Sequence, residues 1–188
     1  MKGMIPSNYQ IPYLMFNCCM PVYIPLCNNM HSYRYPTQPS YTTNAPSPSA
    51  TITDYGPSPF VVNIEEAAKQ NNTFRTALWT GEYLQLTLMS LEVGEAIGLE
   101  MHPNVDQFIR IEAGEGLVQM GDRKEQLDFK RKVYDDFIFI IPAGKWHNLT
   151  NTGTQPLKLY SIYAPPEHPY GTVHATKEIA QAAEHHNG

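Results

Sequence analysis

The chain has 188 residues, 42% of them apolar and 11% aromatic, enough for one domain with a sizeable core and some chain to spare. Its net charge of −5 excludes the basic footprint of a nucleic-acid binder and the polybasic patch of a membrane-surface protein. No stretch approaches the ~20 apolar residues of a spanning helix. Pro6, Pro12, Pro21 and Pro25 interrupt each candidate core of a secretory signal, so a cytoplasmic protein is expected.

Charged residues make up 16% of the chain, against roughly 25% in ordinary soluble domains. The deficit lies in residues 1–59, where only Lys2, Arg34 and Asp54 are charged. The same stretch holds 10 of the 16 prolines and all three cysteines. Cys18, Cys19 and Cys27 fit no zinc-ligand spacing and read as free thiols, with intermolecular cross-linking as the alternative. Tyr9, Tyr13, Phe16, Tyr23, Tyr33 and Tyr35 recur among prolines and asparagines, a composition that cannot fold alone. It suits an adhesive or assembly tail or a plain extension. Residues 40–59 form a proline-punctuated linker.

From Phe60 the pattern changes. Asn63 caps a helix, Ile64–Gln70, with Glu65 and Glu66 favourably placed in its first turn. Strands follow at Thr73–Trp79, Tyr83–Leu91, Ile97–His102, Gln107–Glu112 and Leu117–Met120. The charged stretch Asp122–Asp136 reads as a solvated loop. Phe137–Ile141 is an apolar run before Pro142-Ala143-Gly144, and strands resume at Trp146–Asn151 and Leu157–Tyr163. A Pro/Gly-rich wrap carries His168 and His174, expected at the surface. Thr176 caps a last helix that ends near His185 and His186. At least eight short strands, punctuated by turn residues, specify an all-β sandwich or barrel. The expected organisation is an extension over residues 1–59, a barrel over 60–176 and a terminal helix over 177–188.

Two segments carry candidate chemistry. The first is GEAIGLEMHPNVDQFIRIEAG, residues 94–114. Glu100 and His102 are two apart, so on a strand they share a face. Gln107 opens the next strand, and antiparallel pairing would set it opposite them. The second is DFIFIIPAGKWHNLTN, residues 136–151, where a tight turn leads into a strand whose first polar side chain is His147. Two imidazoles, one carboxylate and one amide on adjacent strands can converge on a divalent metal. Trp146 should face away from that site.

These segments resemble the cupin superfamily, whose motifs are G(x)5HxH(x)3–4E(x)6G and G(x)5PxG(x)2H(x)3N. The resemblance runs from about Ala77 to Ala164 and implies a double-stranded β-helix (jelly-roll) barrel, here with a short helix before and after it. Glu100 stands where the first histidine of the pattern is expected, Gln107 where the glutamate is, and Asp136 at the leading glycine of the second motif. Asp106 is a rival to Gln107, but only Gln107 keeps the spacing to Gly114. The implied ligands are Glu100, His102, Gln107 and His147, and the implied cofactor is a divalent ion (Zn, Mn, Ni, Fe or Co). Proton carriers would be Glu100 and Tyr160, with Tyr163 and Lys145 as further candidates. The resemblance extends to sugar-phosphate isomerases of the mannose-6-phosphate type, which implies an enzyme acting on a carbohydrate-like small molecule. The alternatives are a metal-dependent dioxygenase or other oxidoreductase, and a non-catalytic binding or spore-coat-type structural protein. A small-molecule substrate and a homodimer are the expected partners.

Overall fold

A computed structural model describes residues 52–186. The expectations for residues 1–51, including the aromatic extension and Cys18, Cys19 and Cys27, lie outside the described residues. Helix α1 spans Ile64–Gln70, and Asn63 caps it by accepting a 3.3 Å hydrogen bond from the Glu66 amide. Its buried face, Ala68, packs with Leu78 and Leu88, and Ile52, Phe60, Ile64 and Tyr160 complete that cluster.

Nine strands follow: β1 (Arg75–Thr80), β2 (Gln85–Leu91), β3 (Asp106–Ala113), β4 (Glu115–Gly121), β5 (Phe129–Tyr134), β6 (Ile138–Ile141), β7 (Trp146–Asn151), β8 (Leu157–Ala164) and β9 (Val173–His174). Helix α2 (Lys177–His186) ends the described chain. A six-stranded sheet in the order β6-β3-β8-β2-β1-β9 faces a three-stranded sheet in the order β5-β4-β7. All the strand pairings are antiparallel. One core joins the two sheets: Met89, Ile109, Ile111 and Leu159 from the larger meet Val118, Val133 and Leu149 from the smaller. This is the jelly-roll barrel the sequence predicts.

Strand alternation divides the interior into two zones. On β8 the inward positions are Leu157, Leu159, Ser161 and Tyr163, all fully buried. Tyr163 pairs with Gln107 on β3 and Gln85 on β2, while Ser161 pairs with Ile109 and Thr87. The next inward rung, Ile111, Leu159 and Met89, is apolar. The barrel is therefore greasy at one end and polar at the other, and the polar end carries the site.

Three expectations need correction. Residues 97–102 do not form a strand of the ladder; glycines at positive φ, Gly94 and Gly98, break it into turns and isolated bridges. The expected solvated loop contains β5, an edge strand whose residues are exposed apart from Val133, so its Lys130-Arg131-Lys132 run hid the strand signal. Charge on an edge strand discourages pairing with another chain. The short strand β9 was masked by its length and its Pro/Gly-rich setting.

Candidate metal centre

Residues 94–102 run antiparallel to β7. The Ile97 amide donates to Leu149 O at 3.0 Å, and Glu100 and His147 exchange backbone bonds of 3.1 and 2.9 Å. Being directly opposed, these two side chains stand on one face. Between the bridges Ala96–Thr150 and Glu100–His147, four steps on one chain face three on the other. The extra residue is accommodated at Gly98, whose φ is 109° and whose amide is held by Asn148 Oδ1 at 3.2 Å. Such a bulge re-aims the residues beyond it, here Glu100. The Pro142-Ala143-Gly144 turn then fixes His102, because the Gly144 amide donates to His102 O at 2.8 Å.

Glu100 Oε1 lies 3.3 Å from His147 Nε2 and 3.6 Å from His102 Nε2. One ligand atom from each of the three residues falls within 4.8 Å of the others. Both imidazoles are anchored at the opposite nitrogen. His147 Nδ1–H donates to Lys145 O at 3.0 Å, and His102 Nδ1–H to Glu167 Oε1 at 3.0 Å. Both Nε2 atoms are buried and, among the described residues, meet no partner in hydrogen-bond geometry. That arrangement fits a divalent cation: two imidazole nitrogens, each on a ring held at its other nitrogen, and one carboxylate oxygen face a common point.

The electrostatics agree. Burial pushes the Glu100 carboxyl up, but His102, His147 and the Arg75 charge outweigh it and hold it well below the usual carboxylate range. Burial likewise opposes charge on His102, yet Glu100 and Glu167 raise it to about 9. A carboxylate between two imidazoles is a site where a proton already occupies ground a metal ion could take.

Of the expected ligands, the structure brings Glu100, His102 and His147 together. Gln107 sits on β3, paired with Ile141 and Tyr163 rather than opposite Glu100. It is 2% exposed; its Nε2 donates to Ser161 Oγ at 2.9 Å, and its Oε1 is buried without a hydrogen-bond partner among the described residues. The rival Asp106 is engaged elsewhere, accepting from the Ala143 amide at 2.8 Å. Tyr160 does not reach the site: alternation along β8 turns it outward, against Phe108 at 6.0 Å and the α1 cluster. Tyr163 is the inward tyrosine, 5.8 Å from the His102 ring. Lys145 pairs with Asp122. Trp146 faces out, beneath Lys124.

Sequence reasoning missed Glu167, Arg75 and His168. His168 is not a surface residue: Tyr163 meets it edge-on at 5.0 Å and its Nε2 is buried. Its backbone is clamped by Gln85, which donates to His168 O at 2.8 Å and accepts from His168 N at 2.9 Å. A carboxylate and an imidazole inside a proline-rich wrap were the available signal, and no spacing rule points to it. Arg75 opens β1 and is 1% exposed, a buried cation that composition alone does not flag.

Comparison with known proteins places the chain. The profile of the family described as "Cupin domain" matches residues 87–163. The "Uncharacterized protein YrkC" of Bacillus subtilis (strain 168) is 68% identical over 133 residues, covering 71% of this chain and 72% of that one. The "Uncharacterized protein L612" of Acanthamoeba polyphaga mimivirus is 41% identical over 115 residues, 61% of this chain and 70% of that protein. The crystal structure of BH2720 from Bacillus halodurans superposes with a TM-score of 0.69 at 65% identity, covering 70% of this chain and 99% of that one. With its jelly-roll barrel, its two spaced motifs and these relatives, the chain belongs to the cupin family.

Proposed function

We propose that this cupin binds a divalent metal ion through Glu100, His102 and His147, with Gln107 Oε1 as a further oxygen, and acts as an enzyme on a small carbohydrate-like molecule. The observation that carries the reading is the pair of buried imidazole Nε2 atoms aimed at Glu100. The donor set suits Mn, Fe, Co, Ni or Zn. Such an ion, when bound, supplies Lewis acidity toward a substrate carbonyl or hydroxyl oxygen. The remaining roles belong to the chain. The Glu100 side chain is 19% exposed, so the site opens to solvent at the barrel mouth. The polar zone behind it offers the Thr87, Ser161 and Tyr163 hydroxyls, donors and acceptors that match a polyhydroxylated molecule. Burial pushes the Tyr163 hydroxyl up to about 12, so it stays protonated and serves as a donor.

The finer assignment within this proposal is a sugar or sugar-phosphate isomerase. Its test is elemental analysis of the purified full chain, followed by aldose–ketose interconversion assays with oxygen uptake recorded in parallel. About one metal per chain, lost in Glu100→Ala and His147→Ala together with isomerisation, is the expected result. Oxygen consumption with bound iron would instead identify an oxidoreductase. Failure of the wild type to retain any metal would overturn the reading.

A further inference from the structure

The wrap that follows β8 carries more than a connection. It brings Glu167 to His102 Nδ1 at 3.0 Å, with the Glu167 side chain 29% exposed and the imidazole 10% exposed. Two independent clamps hold this segment. Gln85, fully buried, makes two hydrogen bonds to the His168 backbone. Asp54, ahead of α1, accepts from the Gly171 amide at 3.0 Å, and its backbone oxygen accepts from the Tyr170 hydroxyl at 2.9 Å. Glu167 is therefore presented from a segment anchored before it by the end of β8, where Ala164 pairs with Asp106, and after it by these two clamps.

We propose that Glu167 is a positioning residue for the metal site, the residue that sets which nitrogen of His102 faces the ion; the inference rests on the metal-binding reading above. An imidazole can ligate only through a nitrogen without a proton. An acceptor at Nδ1 keeps the proton there and leaves Nε2 to the metal. His147 achieves the same end with a backbone carbonyl, Lys145 O at 3.0 Å. His102 directly precedes the turn at Pro103, and the contact at its Nδ1 is a carboxylate borrowed from a segment more than 60 residues along the chain. A carboxylate also raises the basicity of the imidazole it holds, which a carbonyl does less strongly.

The experiment uses the full chain and Co(II) or Zn(II) alone as the probe, titrated against a competing chelator. Wild type, Glu167→Ala, Glu167→Gln and Glu100→Ala are compared. Removal of an outer partner of this kind typically weakens metal affinity about 10- to 100-fold, and that loss is expected for Glu167→Ala. Glu167→Gln, whose amide oxygen still accepts from Nδ1–H, should recover most of it. The second readout is the His102 Nδ1–H proton in an NMR spectrum: slowly exchanging in wild type and Glu167→Gln, absent in Glu167→Ala. Wild-type affinity in Glu167→Ala, or equal losses in Ala and Gln, would overturn the positioning role. Absence of Glu100-dependent uptake by the wild type would overturn the metal reading itself, so the two failures are distinct.

Discussion

Acid should destabilise this barrel through His168, and the size of the effect follows from where that ring lies. Its Nε2 is buried, and the Tyr163 ring meets it edge-on at 5.0 Å. Burial above all, then the Arg75 charge, pushes the imidazole down to about 2; His102 and His174 act in the same direction and Glu100 opposes them. In the unfolded chain a histidine titrates near 6.5. Below that pH the unfolded state therefore binds a proton that the folded state refuses, and stability is lost as pH falls. Between pH 7 and pH 5 the linkage relation gives about 2 kcal/mol, and any folded value below about 4 gives nearly the same figure. The assay is urea unfolding of wild type and His168→Phe at both pH values, in buffer containing a chelator. Phenylalanine keeps a flat ring against Tyr163 and does not titrate. The stability difference between the two proteins should move by about 2 kcal/mol in favour of the variant on going to pH 5; any constant packing offset cancels. Parallel pH profiles for the two proteins would refute the reasoning.

Two further outcomes follow from the motif positions. Asn151, 1% exposed, donates to Leu91 O at 3.0 Å and Gln155 O at 2.9 Å and accepts from the Gly153 amide at 2.9 Å. Losing three such bonds at roughly 0.5–1.5 kcal/mol each should make Asn151→Ala about 2–4 kcal/mol less stable in urea unfolding, and a loss below about 1 kcal/mol would count against the clamp. Asp136 occupies the left-handed region at φ 69°, where the family pattern has glycine. Both Asp136→Ala and Asp136→Gly lose the ion pair with Arg110, but Asp136→Ala should be about 1 kcal/mol less stable than Asp136→Gly, since only the glycine escapes the Cβ strain; equal thermal midpoints for the two variants would disprove the strain argument.

Legibility in the sequence tracked the range over which each signal acts. Helix α1 and strand β7 were readable to the residue, because an Asn cap and a strict in-out alternation are local. So were Glu100, His102 and His147, since the two motifs encode the turn and bulge that aim them. The mode of convergence was not. Residues 97–102 meet β7 through isolated bridges, and Gln107 pairs with β6 and β8, choices made by sheet order rather than by spacing. Tyr160 and Tyr163 differ by three positions and so face opposite sides of β8, but only the register shows which one enters the barrel. Glu167 and His168 were illegible for a different reason. Their contacts join a proline-rich wrap to β2 and to the mouth, and no local periodicity marks such a segment as interior.

The departure from the family pattern also has a physical reading. The chain exchanges two donors: a carboxylate at 100 where the pattern has an imidazole, and an amide at 107 where it has a carboxylate. The two positions are not electrostatically alike. Glu100, with its side chain 19% exposed, stands between two imidazoles and within the field of Arg75. Gln107, 2% exposed, faces Ser161 Oγ and shares its rung with Tyr163 and Ile141. A carboxylate buried there costs several kcal/mol even after relaxation unless a cation, such as the proposed ion, compensates it. At 100 the same charge is balanced by side chains of the chain itself: Glu100 and Glu167 against Arg75 and a His102 held protonated to about pH 9. The exchange keeps one carboxylate in the ligand set and moves it to the position where the fold already compensates it. The barrel can then fold with its site assembled, and a metal ion need only replace the proton that His102 carries.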